Sequence, residues 1–206
     1  MDFAKEMLDL EGTNSDNTYL INIGDCPVIL TAPHTMEQKK EDGIKFGEFF
    51  TKAIAMYVAK KTNCSYLIKQ KDTGKDANRE VKEDFKDMLI TFIKNNNIKL
   101  VIDIHGSKKE REYDIEFGTL NNLSCDFSVV KELEDAMHEN NIDNITYNDP
   151  FKGGAITQTV YEKTNIDIIQ LEINQNYRDI NDFEKLQNLC QALIDFINQY
   201  KGFIKK

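Results

Sequence analysis

Short apolar runs alternate with longer amphipathic stretches along this chain of 206 residues. The short runs, such as Val28–Ala32, are rich in strand-forming residues, and the longer stretches repeat their apolar residues with helical spacing. Strands that are separated by helices need crossover connections, so most of the sheet should be parallel and covered on both faces. The pattern therefore predicts an α/β protein, a three-layer α/β/α sandwich with a central mixed, largely parallel sheet.

The chain contains no internal repeat or linker-like stretch, and we expect one domain over residues 1–206. Gly24 and Asp25 predict a turn or hairpin between the first two strands, and the strand at 113–120 should lie beside the one at 99–104. The predicted strands are 18–23, 28–32, 65–69, 99–104, 113–120, 144–147 and 165–171, and the predicted helices are 43–62, 81–95, 128–140, 155–163 and 181–200.

Composition excludes several classes of protein. A net charge of −9 is unsuited to general nucleic-acid binding, because phosphate backbones need a basic face. No apolar run approaches the roughly 18–20 residues of a membrane span, and the charged start does not resemble a signal peptide. Four widely spaced cysteines without a Cys-x-x-Cys pair predict reduced, buried thiols in a cytoplasmic protein.

Three predicted inner strands end on a side chain that can bind a ligand. His34 follows the strand at 28–32, and His105 and Glu172 follow the later strands directly. In open α/β sheets the site lies outside the carboxyl ends of the strands. If these strands are neighbours, His34, Glu37, His105 and Glu172 converge there.

These residue types fit a hydrolytic zinc site. Two imidazoles and one carboxylate, here His34, His105 and Glu37, leave a fourth position for water, whose pKa zinc lowers towards about 7. Glu172 is the candidate for moving the proton of that water. Asp103 lies two residues before His105, so strand alternation places it where it can orient the imidazole. Manganese, iron or cobalt could also occupy such a site.

Other interpretations remain open. His34 and His105 could be core histidines, Glu172 could form a structural salt bridge, and Asp103 could pair with a neighbouring strand or Lys108. His138, which follows acidic residues on a predicted helix, indicates a surface histidine. The chain has no Gly-x-Ser-x-Gly motif and no phosphate-binding Gly-rich loop, which argues against a serine hydrolase and a nucleotide-binding loop.

Four short motifs, in this order, resemble the N-formylglutamate amidohydrolase family. They are Pro33-His34, the segment Val-Ile-Asp-Ile-His-Gly at 101–106, Gly153-Gly154 and the segment Gln-Leu-Glu-Ile-Asn at 170–174. The resemblance extends over roughly 28–178. It implies a fold like that of zinc carboxypeptidases and aspartoacylases, and zinc-dependent hydrolysis of an N-acyl amino acid.

The resemblance also implies roles for single residues. His34 and His105 match the metal histidines, Glu172 matches the catalytic glutamate, and Glu37 completes a His-x-x-Glu of the carboxypeptidase type. Thr-Met at 35–36 departs from the Ser-Gly that the family often has after the first histidine. Three further acids are therefore alternatives to Glu37 as the third ligand: Glu41, Asp42 and Glu48.

An anionic substrate needs a cationic partner, and a guanidinium can bind a carboxylate through two hydrogen bonds. Asn78-Arg79, in a polar loop, resembles the Asn-Arg pairs of this superfamily, and we expect Arg79 to bind the substrate and polarise its carbonyl. Arg178 is the second candidate, and Gly153 and Gly154 predict a loop that contacts the substrate. The alternatives are solvated arginines and an ordinary turn.

The sequence thus predicts a zinc-dependent amidohydrolase that acts on a small anionic substrate, first of all N-formylglutamate or a related N-acyl acidic amino acid. One alternative is a metallopeptidase of carboxypeptidase type that acts on γ-glutamyl or cell-wall peptides. Another is a non-catalytic module that binds a ligand on the same fold.

Overall fold

The computed structural model describes residues 2–40, 43–80 and 83–204, so Glu41 and Asp42 lie outside the described residues. The helices are α1 (Phe3–Glu11), α2 (Thr51–Thr62), α3 (Asp84–Asn95), α4 (Phe127–Glu139), α5 (Ala155–Thr164) and α6 (Phe183–Ile204). The strands are β1 (Tyr19–Asn22), β2 (Val28–Ala32), β3 (Gln38–Lys40), β4 (Gly43–Lys45), β5 (Ser65–Lys69), β6 (Leu100–Ser107), β7 (Ile115–Gly118), β8 (Ile145–Tyr147) and β9 (Asp167–Asn174).

Seven strands form the central sheet in the order β1-β5-β2-β6-β9-β7-β8. The four inner strands β5, β2, β6 and β9 are parallel, whereas β1 runs antiparallel to β5 and β7 runs antiparallel to β9. Strands β3 and β4 form a separate antiparallel pair. The predicted mixed, largely parallel sheet is confirmed.

Helices cover both faces of this sheet. Leu30, Ile102 and Leu171 belong to one hydrophobic core with residues of α2, α4 and α6, and α1 packs against α2. Their sequence neighbours Ile29 and Val101 belong to a second core with residues of α3 and α5. Successive side chains of a buried strand point to opposite faces of the sheet, so each inner strand contributes to both cores. The result is the three-layer sandwich that the sequence predicts.

The predicted helix at 43–62 is wrong in its first part. Residues 43–45 form strand β4, and α2 begins only at Thr51, after Phe50 with a left-handed φ of 65°. Ile44 and Phe46, which completed the apparent helical period, are exposed on the surface. Residues 46–50 are a loop, and this loop contributes to the site described below.

Three further expectations about the strands are corrected. Strand β7 pairs with β9 and not with β6, and β5 lies between β1 and β2, so Gly24 and Asp25 are not in a hairpin. Strands β6 and β9 continue to Ser107 and Asn174, which places His105 and Glu172 inside the sheet. Helix α1 and strand β3 were not predicted.

All four cysteines are free and buried. Within the described residues, every helix is too short or too polar to cross a membrane.

Candidate metal centre and substrate cavity

The strand order brings the predicted site residues to one edge of the sheet. Strands β2, β6 and β9 are neighbours, and His105 lies directly opposite Glu172 in the register. His34 lies two residues beyond the end of β2. All three side chains line one cavity of about 850 Å³.

Two imidazoles and one carboxylate form a cluster of possible metal ligands. His34 Nδ1 lies 3.2 Å from His105 Nδ1, and Glu48 Oε1 lies 3.1 Å from His34 Nδ1. The ligand atoms of this triad all lie within 4.8 Å of one another. Two nitrogens that bind one zinc ion at about 2.0–2.1 Å in tetrahedral geometry lie about 3.3 Å apart, so the imidazole spacing fits a single ion.

A carboxylate orients each imidazole from its far side. His34 Nε2 lies 2.8 Å from Asp76 Oδ1, and His105 Nε2 lies 2.9 Å from Asp103 Oδ2. Thr31 Oγ1 in turn donates to Asp103 Oδ1 at 2.5 Å. With both Nε2 atoms engaged, the two Nδ1 atoms face each other, which is the carboxylate–histidine arrangement common around bound metals.

Glu48 is fixed between the two imidazoles by its own backbone and by β6. Its N–H donates to His34 O at 2.8 Å, and Gly106 N donates to its Oε2 at 2.9 Å. The Lys45 ammonium lies 3.2 Å from Glu48 Oε1 and 3.0 Å from His34 Nδ1. A cation thus already contacts two of the three candidate ligands, as expected of a site built for positive charge.

The pKa shifts of Glu48 and His105 agree with a site that binds a cation. Burial alone would raise the pKa of Glu48, but the two imidazoles outweigh it and hold the pKa well below its usual value. Burial would lower the pKa of His105, but the carboxylates of Asp103 and Glu48 raise it well above the ordinary range. The cluster therefore favours an ionised Glu48 that can bind a cation.

Glu172 has the environment of a proton-transfer group. It is buried, and Gln170 Nε2 donates to its Oε1 at 2.9 Å. Burial is the main reason why the pKa of Glu172 is raised to about 7; His105 opposes this effect and Glu48 adds to it. A carboxyl group with a pKa near neutrality can both accept and release a proton at working pH.

The predicted substrate loops also meet at this cavity. Arg79 lines it with a side chain that is 76% exposed, and Gly153 and Gly154 line it as well. Asn78 and Gly154 both donate to Gln170 Oε1, at 3.2 and 2.8 Å. Asn78 therefore ties the loop that bears Arg79 to the start of α5.

Two predicted site residues lie elsewhere. Glu37 is exposed and does not line the cavity, and the acidic member of the triad is Glu48, one of the alternatives from the sequence. Arg178 is buried and does not line the cavity either; its guanidinium donates to backbone carbonyls, as discussed below. His138 is exposed and lies near two acids of its own surface, in keeping with its interpretation as a surface histidine.

Three further residues of the site were not predicted, namely Lys45, Asp76 and Gln170. Asp76 precedes Asn78-Arg79 by two residues, and its position in that polar loop is the only signal in the sequence. Gln170 precedes Glu172 by two residues, so strand alternation puts both side chains on one face. Lys45 lies in the segment that was predicted to be helical.

Residues 79–177, just under half of the chain, match the family model of N-formylglutamate amidohydrolase. This segment contains Arg79, His105 and Glu172, and the match confirms the resemblance drawn from the motifs. No curated protein sequence matches the chain. The family match indicates a hydrolase that acts on amide bonds.

Solved structures share the fold at low sequence identity. An N-formylglutamate amidohydrolase from Ralstonia eutropha JMP134 has a TM-score of 0.67 at 12% identity and covers 91% of this chain and 98% of its own. A bacteriophage poly-γ-glutamate hydrolase has a TM-score of 0.62 at 14% identity and covers 93% of both chains. A metallo-carboxypeptidase from Burkholderia cenocepacia has a TM-score of 0.55 at 11% identity and covers 96% of this chain and 68% of its own.

Proposed function

We infer that the chain is a member of the N-formylglutamate amidohydrolase family, and we propose that it hydrolyses the amide bond of an N-acyl acidic amino acid with the help of a divalent metal, zinc first of all. The observation that carries this proposal is the meeting of His34, Glu48 and His105 with a buried Glu172 in one cavity. The single domain, the cytoplasmic location and the identity of the metal stay predictions.

The donor set suits such an ion. His34, Glu48 and His105 would hold it, and it would supply a polarised amide carbonyl and a water of lowered pKa. Asp76 and Asp103 act as positioning residues, because each binds the nitrogen of an imidazole that faces away from the triad.

Glu172 is the proposed acid and base. Its carboxylate accepts a proton from the attacking water and delivers that proton to the amide nitrogen as the bond to the carbonyl carbon breaks. Arg79, exposed at the cavity, binds a carboxylate of the substrate and orients the amide. Gln170 keeps Glu172 in place by donating to Oε1.

The test combines elemental analysis with release of formate from N-formylglutamate. We expect His34→Ala and His105→Ala to lose both metal and turnover. Glu172→Gln should keep its metal and lose turnover by about 10²–10⁴-fold. Glu139→Gln, an exposed acid on α4, is the matched control and should behave like the wild type. Unchanged metal content in both histidine variants would refute the metal centre, and normal turnover of Glu172→Gln would refute its role.

A metallopeptidase that acts on γ-glutamyl or cell-wall peptides is the second candidate. It is supported by the size of the cavity, about 850 Å³, which exceeds what a single acylated amino acid requires. Release of amino acids from peptides, compared with release of formate, separates the two activities. If neither activity appears while N-acyl amino acids still bind, the non-catalytic module is the correct interpretation.

A further inference from the structure

We propose that the mouth of the cavity contains a second anion-binding subsite, formed by Lys108, Arg111 and Lys152, and that the substrate is an acidic oligomer with at least two carboxylates. This inference rests on the proposed function and narrows its substrate class.

Charge is distributed unevenly over the cavity. Its acids Glu48, Asp76 and Glu172 are buried or nearly so, around the metal centre. The exposed lining residues, in contrast, are mostly cationic although the chain as a whole has a net charge of −9. The exposed cations are Arg79, Lys108, Arg111 and Lys152, and Glu110 is the one exposed acid among the lining residues described.

The three cations of the subsite lack carboxylate partners. Within the described part of the chain, neither Lys108, Arg111 nor Lys152 forms an ion pair, whereas Arg79 Nε lies 3.8 Å from Asp76 Oδ2. Cations that lie together without a partner repel one another, and a protein with excess acid could easily neutralise them. Their grouping at a cavity indicates an anionic ligand.

Arg111 is held in a position suited to such a ligand. Its Cζ lies 5.2 Å from the centroid of the Phe151 ring, so the guanidinium stacks on a residue of the neighbouring loop. Its N–H donates to Lys108 O at 3.2 Å, and its carbonyl accepts from Asn174 Nδ2 at 3.1 Å. A stacked guanidinium loses little further freedom when it binds a carboxylate with two hydrogen bonds.

The loop that bears Lys152 is fixed as well. Leu120 N donates to Lys152 O at 2.5 Å, and Phe151 N donates to Glu116 Oε1 at 2.6 Å. Glu116 is fully buried on β7. Both loops of the subsite therefore have anchored backbones, and their cationic side chains are exposed to solvent.

Four exposed cations line the cavity, more than one carboxylate requires, which indicates a substrate with several charges. Arg79 can bind the carboxylate next to the cleaved amide, and the subsite can bind a carboxylate farther along the chain. A volume of about 850 Å³ is near the upper end of the range of about 300–1,000 Å³ in which drug-sized ligands bind. A single N-acyl amino acid would leave most of that space and the subsite unused.

The test measures binding in full-length Glu172→Gln, so that turnover does not interfere. The probes are N-formylglutamate and pentamers of glutamate linked through either the α- or the γ-carboxyl group, with calorimetry as the readout. In this background, Lys108→Gln/Arg111→Gln/Lys152→Gln should weaken binding of at least one pentamer about tenfold. Binding of N-formylglutamate should change less than about twofold, because Arg79 remains.

A variant with the same loss of charge controls for the net charge. Lys5→Gln/Lys94→Gln/Lys99→Gln removes three exposed lysines outside the cavity and should leave pentamer binding unchanged. All three substituted subsite residues are exposed, and equal melting temperatures would show that both triple variants fold.

Selective loss of pentamer binding supports the subsite, and the linkage that binds identifies the kind of oligomer. Equal weakening of pentamer binding and N-formylglutamate binding, or no weakening of either, would overturn the proposed subsite. Because binding is measured without turnover, it does not depend on the proposed function. If the wild type cleaves neither N-formylglutamate nor a pentamer that binds at the subsite, the proposed function is refuted and the subsite stands. If it cleaves N-formylglutamate but not the bound pentamer, the acidic oligomer is not the substrate.

Discussion

Arg178 is a buried cation whose hydrogen bonds all go to the backbone. Its guanidinium donates to Ile173 O at 3.1 Å, to Phe49 O at 2.7 Å and to Ser107 O at 2.9 Å. It joins the ends of β6 and β9 to the loop that bears Glu48. The sequence placed Arg178 near the substrate because it follows Glu172 closely, but its side chain is buried and does not line the cavity.

We therefore expect Arg178→Met to destabilise the protein by about 3 kcal/mol, because three backbone carbonyls, of which two are in buried hydrogen bonds, lose a charged donor. Arg178→Lys keeps the charge but not the forked set of donors, so its stability should lie between those of Arg178→Met and the wild type. Urea denaturation measures both. Arg79→Met is the matched control and should weaken substrate binding without a loss of stability. A raised KM at unchanged stability in Arg178→Met would contradict this assignment.

Asp103 is expected to act on the metal through His105. Because its Oδ2 lies 2.9 Å from His105 Nε2, Asp103→Asn should weaken metal affinity about 10–100-fold. Competition with a chelator measures this affinity directly. Thr31→Val, which removes the donor to the other oxygen of Asp103, should have a smaller effect in the same direction. An unchanged metal affinity in Asp103→Asn would mean that the Asp103 carboxylate only forms buried hydrogen bonds and does not act on the metal.

At the level of single residues, the sequence predicted which polar side chains meet in one cavity best where they follow an apolar strand. His34 lies two residues beyond β2, and His105 and Glu172 lie near the carboxyl ends of β6 and β9. Asp103 shares a face with His105 by simple alternation. Glu48 could only be one of several acids, since a loop position has no periodicity to identify it.

At the scale of elements, strands were easier to predict than the segments that join them. Strand β2 was predicted with its observed bounds, because buried parallel strands are short and mostly apolar. The segment 43–62 looked helical since Ile44 and Phe46 fell into the period of α2, yet both are exposed. Strand order is set by packing between distant segments, and the sequence therefore did not reveal that β7 pairs with β9.

The start of α5 depends on a glycine. A Cβ atom on Gly154 would lie 2.0 Å from Asn78 Oδ1, which accepts from Ile156 N at 3.2 Å. Gly154→Ala should therefore displace Asn78 and with it the loop that bears Arg79. We expect a loss of about 1–3 kcal/mol in the free energy of unfolding and a raised KM. Urea denaturation and steady-state kinetics measure the two effects.

Gly202→Ala is the matched control on α6, because nothing lies within 4 Å of the added methyl group. It should stabilise the protein by up to about 1 kcal/mol through helix propensity and leave KM unchanged. The double variant Gly154→Ala/Asn78→Gly removes the obstructing side chain and should recover part of the stability but not the KM. Equal stability of Gly154→Ala and the wild type would show that the two loops are not coupled.

At the scale of the whole molecule, two electric fields act on an anionic substrate. The net charge of −9 repels it over the full size of the protein, whereas the cations at the mouth of the cavity attract it at short range. Salt separates the two fields, because the screening length falls from about 30 Å at 0.01 M to about 3 Å at 1 M.

We therefore expect the KM for an acidic oligomer to pass through a minimum as ionic strength increases. Moderate salt, about 0.1 M, screens the distant negative charge but leaves attraction at the mouth, and higher salt removes both. Steady-state kinetics from 0.01 to 1 M salt measure the profile. In Lys108→Gln/Arg111→Gln/Lys152→Gln the attraction at the cavity is reduced to that of Arg79, so the rise of KM at high salt should be smaller than in the wild type. A KM that rises from the lowest salt in the wild type, or the same minimum in both proteins, would show that the cations at the mouth do not attract the substrate.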